Sequence, residues 1–371
     1  MVITLKNFPS MNNEDCLELL RELVRIPSPS FEEEAAVDCI SGWLTAQGID
    51  HTMPNGNIVA IAAAPDPAKP TLALLAHLDT VSPAAGYSRD PYDSGSKPGF
   101  IRGLGANDDG GSVVAMLAAF RHFYGKTLPV NLILLLDREE ECSGPDGARW
   151  LFGPQGPFRK GTLPMPDWTV VGEPTGLKAA TSERGLLVLD GEAVGVSGHA
   201  ARGEGVNALY IALDDIAALR AHRFNKVSPL MGEVHLNVTQ IEAGFAHNVI
   251  PDRCKFVVDI RPTEQYTNGE ILAELQALCR SRLTPRNLAN RSSATRSDSL
   301  LLRTVGDLGI ETFSSPTTSD WMRIPVDAVK MGPGDSARSH KADEFIRADE
   351  VRKGIDGYIA FIEKFYGNTL E

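Results

Sequence analysis

The sequence predicts an α/β fold, a mixed sheet flanked by helices, interrupted by a smaller α+β domain. Three observations predict it. Over the first 180 residues, short apolar runs suited to buried strands alternate with helical periodicity, the pattern of a sheet covered on both faces. Beyond that point the strands alternate apolar and polar residues more regularly, as a sheet with one open face requires. The last helix has an apolar face that belongs with the first domain, so the second domain is an insertion. Residues 1–180 and 285–371 are assigned to the large domain and 181–284 to the inserted one.

Taken in order, Cys16, Leu19, Leu20, Leu23 and Val24 recur at helix spacing, and Pro27 and Pro29 stop the pattern. Ser30 with Glu33 three residues on reads as a capping box. It opens a second helix whose apolar face is Ala36, Val37, Ile40, Trp43 and Leu44, ended by Gly48. Buried strands follow at 58–63, 71–76, 130–136 and 168–171, with a helix from about residue 112 to 123. The inserted part reads as strands 186–194, 234–241 and 255–260 with helices 207–221 and 268–280. That order, β-α-β-β-α with a further strand possible at its end, suits a small open-faced sandwich. The polar tract 284–298 is a crossover out of it, and Val351, Ile355, Ile359 and Ile362 form one face of the closing helix.

Composition narrows the function. The chain has 371 residues, 43% apolar and 23% charged, which excludes wholesale disorder and a membrane channel. Lys plus Arg total 36 against 48 for Asp plus Glu, a formal charge of −12 that repels nucleic-acid phosphates and anionic lipid. Neither nucleic acid nor membrane is expected as a partner. The five cysteines form no C-x-x-C pair, as for free thiols in a reducing compartment. The opening MVITLKNFPSMNNED lacks the apolar core of a signal peptide, and no stretch approaches the roughly 20 apolar residues of a membrane span. A cytoplasmic location is expected.

Acidic and histidine residues cluster just after the predicted strands, where open α/β sheets place ligands. His77-Leu-Asp79 follows LALLA: an imidazole can ligate a metal through one nitrogen while a carboxylate holds the other. Alone, the same tripeptide reads equally as a capped strand end. The glycine-rich turn 103–111 carries Asp108 and Asp109, whose charges repel a phosphate and favour a cation, or else make an Asx-type turn. Glu139, Glu140 and Glu141 end a buried strand, where three carboxylates are costly unless a cation offsets them. Glu173 follows a further strand, and His340 lies in a loop. Together these make a mixed N/O donor set suited to zinc, with manganese or cobalt as substitutes.

These five segments, in this order, resemble the M20 family of metallohydrolases, which includes acetylornithine deacetylase, succinyl-diaminopimelate desuccinylase, aminoacylase and carboxypeptidase relatives. The resemblance covers residues 14–366. It implies a zinc-exopeptidase-like catalytic domain with an inserted ferredoxin-like lid and dimerisation domain. It implies two Zn2+ held by His77, Asp108, Glu141, Glu173 and His340, with Asp108 bridging them. Asp79 would orient His77, Glu140 would be the general base, and a cis peptide would follow Asp108. The family's usual aspartate-methionine-lysine-glycine is here Asp108-Asp109-Gly110-Gly111.

In the inserted part, Ser197-Gly198-His199-Ala200 resembles the motif whose histidine reaches the partner subunit's active site in dimers. Asn248 and Arg261 match positions that hold the substrate. The alternatives are a turn histidine, a turn asparagine and an arginine paired with Asp259. The wording of GEPTG, SERGLLVLDGEAVG, HNVIPD and GPGDSARSHKADEFI is most like the acetylornithine deacetylase branch, including its N-acetylcitrulline and N-succinylornithine variants. The resemblance therefore implies hydrolysis of an N-acyl-L-amino acid, an acyl ornithine or citrulline of arginine biosynthesis, by a homodimer. An M20 dipeptidase or carboxypeptidase is the rival of the same fold. A metal-binding assembly protein without catalysis is the rival of another class, disfavoured by the retention of Glu140.

Overall fold

The structure, a computed structural model, describes residues 13–95 and 97–370. The stretch read above as lacking a signal peptide falls almost wholly outside them. By internal contacts the described chain forms two units, one comprising residues up to Thr181 with Thr295–Phe313 and Arg323 onward, the other Ser182–Ala294 with Ser314–Met322.

In the first unit, helices α1 (Asn13–Val24) and α2 (Glu34–Ala46) precede strands β1 (Ile58–Ile61) and β2 (Thr71–His77). Helix α3 (Gly110–Phe123) then leads to β3 (Asn131–Asp137), β4 (Trp168–Val171) and β5 (Ala179–Glu183), whose last two residues already count with the second unit. Strand β1 is antiparallel to β3, while β2 pairs in parallel with both β3 and β4. All seven residues of β2 and of β3 are buried, the mark of parallel strands covered on both faces. Leu72, Leu74, Ala76, Leu132, Leu134 and Leu136 join one core with α3, eleven of whose residues are buried.

The Ser30–Glu33 capping box does not form. Helix α2 starts at Glu34, and its N-cap Glu33 makes no side-chain capping bond. Ser30 Oγ donates instead to Asp79 at 2.6 Å, and the Glu33 carboxylate accepts from Arg138 Nη2 at 2.8 Å. Charged and buried distant partners have outcompeted the local rule.

The second unit is a sheet of β6 (Leu187–Val194), β7 (His235–Ala243), β8 (Arg253–Arg261) and β9 (Arg282–Pro285), in the spatial order β7-β8-β6-β9 and antiparallel throughout. Helices α4 (Ala208–Ala221) and α5 (Asn268–Gln276) complete the β-α-β-β-α-β sequence of a ferredoxin-like domain. Along β6, Leu187, Leu189, Gly191 and Ala193 are buried, while the intervening residues lie toward water. The open face carries ion pairs such as Arg286 with Asp190 and Arg253 with Glu192, each 2.8 Å.

Two boundaries differ from the sequence reading. Helix α5 stops at Gln276 rather than near residue 280, because Asp215 accepts the backbone N–H groups of Arg280 and Ser281 and pulls that turn out of helix. The unit extends to Ala294 rather than to residue 284, because the outgoing chain stays bonded to it. Arg286 N–H donates to Val188, Leu186 N–H to Asn290, and Gly185 N–H to Ser292 Oγ.

The chain then returns to the first unit through α6 (Leu300–Asp307), β10 (Asp327–Lys330) and α7 (Ala348–Thr369). Strand β10 runs parallel to β4, and α7 buries Val351, Ile355 and Ile362 in the first core. Among the described residues no helix is long and apolar enough to cross a membrane.

The second core depends on Phe256, which is buried with its ring against Gly191. A Cβ on Gly191 would stand 2.4 Å from that ring, so no side chain fits there. Phe256→Ala is expected to destabilise this unit by about 3–5 kcal/mol, read as an earlier transition in urea unfolding of the full chain.

Candidate metal centre

The centre is built at the C-terminal ends of the parallel strands inside the first unit's sheet. Strands β2, β3, β4 and β10 run in the same direction, so the segments after His77, Asp137, Val171 and Lys330 leave the sheet together. Asp108 arrives from the turn before α3, through a cis Asp108–Asp109 peptide.

His77 is buried. Its Nδ1 lies 2.9 Å from the Asp79 carbonyl oxygen and 3.4 Å from Asp79 Oδ1, so acceptors place a proton on that nitrogen and aim Nε2 inward. Nε2 stands 3.3 Å from Asp108 Oδ1, and Asp108 Oδ2 stands 3.7 Å from His340 Nε2. The two oxygens of one buried carboxylate thus face two histidines. His340 completes this side with Glu141, 2.9 Å from Nε2 to Oε2.

The adjacent glutamates diverge. Glu141 groups with His77 and Asp108, whereas Glu140 groups with His77 and Glu173, each set offering ligand atoms within 4.8 Å of one another. Their backbones are held by Asp79, whose Oδ1 accepts from Glu140 N–H at 3.0 Å and Oδ2 from Glu141 N–H at 3.1 Å. Glu139, first of the three, is structural: its Oε2 accepts Asp146 N–H at 2.9 Å, and its backbone adopts φ 63°. The loop closes over it at Gly147, where a Cβ would meet the Arg138 carbonyl oxygen at 1.8 Å.

The titration pattern is that of crowded acids. Burial raises Glu173 well above the ordinary range, Lys330 opposing it and Asp108 adding to it. Burial likewise raises Glu141. At Asp108 burial is outweighed by the hydrogen bond with His77, and the pKa falls. His77 is held well above the imidazole range because the Asp108 and Asp79 carboxylates outweigh its burial. The hydrogen bond with Glu141 pushes His340 up to about 9. Protons here play the part a cation can play, and the donors are two imidazoles and several carboxylates. The residues fit divalent metal with nitrogen and oxygen ligands.

Glu344 and Lys330 escaped the sequence reading, and Asp109, named there as the second acid of the turn, is buried with them. Glu344 Oε1 accepts the N–H groups of Asn107 at 2.8 Å and Asp108 at 3.1 Å, and burial pushes its pKa up to about 8. Asp109, behind Asp108, is pushed up to about 7 by burial. Lys330 ends β10 and is 1% exposed, which its place in the apolar run AVKM could have signalled. Nothing in the sequence around Glu344 separates it from a solvated acid.

His199, Asn248 and Arg261 belong to the second unit. His199 pairs with Val249 in a short ladder, its Nδ1 accepts Ala201 N–H at 3.2 Å, and the Asn248 carbonyl accepts Ala200 N–H at 3.0 Å. His199 and Asn248 are both exposed. Arg261 is bidentate to Asp259 at 2.8 and 3.1 Å, the pairing weighed as its alternative.

The profile of peptidase family M20/M25/M40 matches residues 73–364. The chain is 26% identical to an acetylornithine deacetylase of Proteus mirabilis over 364 residues, covering 89% of this chain and 91% of that one. It is 30% identical to a succinyl-diaminopimelate desuccinylase 2 of Shewanella loihica over 270 residues, covering 69% and 70%. Among solved structures, the aminopeptidase PepT of Bacillus cereus superposes with TM-score 0.76 at 19% identity, covering 96% of this chain and 100% of that one. The YXEP protein of Bacillus subtilis, described as a dinuclear metal binding peptidase, does so with TM-score 0.69 at 15% identity, covering 95% and 96%.

Glu344 supports the turn that presents Asp108, so Glu344→Ala should weaken metal binding by about 10–100-fold. Competition with a chelating dye on the folded variant checks this, and wild-type affinity would refute it.

Proposed function

This chain belongs to peptidase family M20/M25/M40, a family of metal-dependent hydrolases, and from that premise we propose that it hydrolyses the amide bond of an N-acyl-L-amino acid. The observation that supports this most is Asp108 set between His77 and His340 with Glu140 alongside, a two-cation donor set with a carboxylate to spare. The names of the relatives, a deacetylase and a desuccinylase, both describe removal of an acyl group from an amino-acid amine. N-acetyl- or N-succinyl-ornithine and -citrulline are the leading substrates, in arginine biosynthesis, with the enzyme a cytoplasmic homodimer joined through its inserted domain.

His77, Asp108, Glu141, Glu173 and His340 would hold two Zn2+, with Co2+ or Mn2+ as substitutes. Bound there, the ions would polarise the acyl carbonyl and acidify a water. The chain's own groups do the rest. Asp79 keeps the proton on His77 Nδ1, leaving Nε2 its lone pair. Glu140 takes a proton from the attacking water and returns it to the leaving amine nitrogen. His199, which by the resemblance reaches the partner subunit's active site, would donate to the oxyanion there. Asp259 occupies the Nε edge of the Arg261 guanidinium and leaves its other edge to a substrate carboxylate, and Asn248 is assigned to the substrate as well.

Assay of zinc-loaded protein against acetyl and succinyl derivatives of ornithine and citrulline should release the free amino acid. Release from dipeptides alone would favour the dipeptidase reading, and no release from any acyl derivative would overturn this one. Glu140→Ala should retain metal and lose about 10²–10⁴-fold in turnover. Near-normal turnover in the metal-loaded variant would exclude Glu140 as the base.

A further inference from the structure

We propose that Glu33 is a positioning residue for the base, acting on Glu140 through the backbone of Glu139; this rests on Glu140 being the base. Glu33 opens α2, and its side chain is wholly buried. Its Oε1 accepts Glu139 N–H at 3.2 Å and Phe31 N–H at 2.8 Å, while Oε2 takes Arg138 Nη2 at 2.8 Å. Asp79 accepts the next two N–H groups, those of Glu140 and Glu141. Two buried carboxylates therefore hold three successive N–H groups of the segment that presents base and ligand.

The need for that clamp is local. Glu139 adopts φ 63°, a left-handed conformation that a residue with a Cβ resists. Beyond it the chain turns back, Gly144 N–H donating to the Glu139 carbonyl at 2.8 Å and Ser143 N–H to that of Glu140 at 2.8 Å. Without Glu33 the N–H of this strained residue is left buried and unpaired, and Arg138 loses the carboxylate that fixes its neighbour. The turn can then relax by rotating about Glu139, which moves Glu140 first. A misplacement of about 1 Å at a reacting group can cost about 100-fold in rate. The loop of Ser30 and Glu33 thus serves the centre from both ends: Ser30 donates to Asp79, and Glu33 takes the residue that Asp79 does not reach.

The test uses the full chain saturated with metal and two substitutions. Glu33→Leu removes the acceptors at similar bulk, and Glu33→Asp keeps a charge for Arg138 but ends one methylene short of Glu139 N–H, so either carries the test should the other fail to fold. Each should lower kcat by about 10–100-fold with KM within about twofold and bound metal per chain unchanged. Glu34→Gln, at an exposed partner of the same Arg138, should leave kcat unchanged. In a Glu140→Gln background the Glu33 substitutions should cost less than about threefold, because groups that act as one unit are not additive. A purely structural role would lower both backgrounds alike. Unchanged kcat in folded, metal-saturated Glu33 variants, or an equal loss in the Glu140→Gln background, overturns the inference alone. Wild-type turnover by Glu140→Gln overturns the base assignment and the inference with it.

Discussion

The Asp79 carboxylate is the constraint on which the centre depends. It is buried, yet within 3.4 Å of its two oxygens lie His77 Nδ1, the N–H groups of Glu140 and Glu141, and the Ser30 hydroxyl. A buried charge is tolerated only when it is hydrogen-bonded on every side. Here each bond that satisfies Asp79 also fixes a part of the site: the tautomer of His77, the direction of two glutamates, and the loop entering α2. Burial alone would raise its pKa, but His77 outweighs burial and holds it below the usual range, so it remains an acceptor.

The parallel strands supply what Asp79 cannot, the meeting of segments far apart in sequence. Strands β2, β3, β4 and β10 point one way, and within two residues of the ends of β2, β3 and β4 stands an acidic residue. That is why those three strand ends were legible without coordinates, whereas β10, with His340 ten residues beyond it, was not read as a strand. Uninterrupted apolar runs mark strands buried on both faces, and a charged residue immediately after one is conspicuous. The ferredoxin-like order of the second unit was legible for the complementary reason, since one open face imposes strict alternation on β6.

What could not be read is equally physical. Ser30 and Glu33 satisfy a local rule, and nothing nearby reveals that Asp79 and Arg138 compete for them. Glu344 looks like any acid before a strand, since its partners, the Asn107 and Asp108 N–H groups, lie more than 200 residues away. The end of α5 was misplaced because Asp215, from another helix, captures the next turn. Helix and strand periods report which face is buried, whereas side-chain to backbone bonds across the chain leave no periodic trace.

The run Glu139–Glu141 shows how the two kinds of information combine. Three adjacent carboxylates at a strand end call for a cation, with Glu140 and Glu141 expected in different roles, and all three have different environments. Glu139 is turned into the protein, bonded to Asp146 N–H; Glu140 joins Glu173; Glu141 joins Asp108 and His340. In an extended strand, alternate side chains would face opposite sides, and Glu139 and Glu141 would share one. Glu139, itself left-handed, breaks that alternation and anchors the loop, so the pair after it fans out over the centre. A chain that placed these acids on a regular strand could bring one to the centre but not two consecutive ones, and a ligand and a base would have to come from different segments.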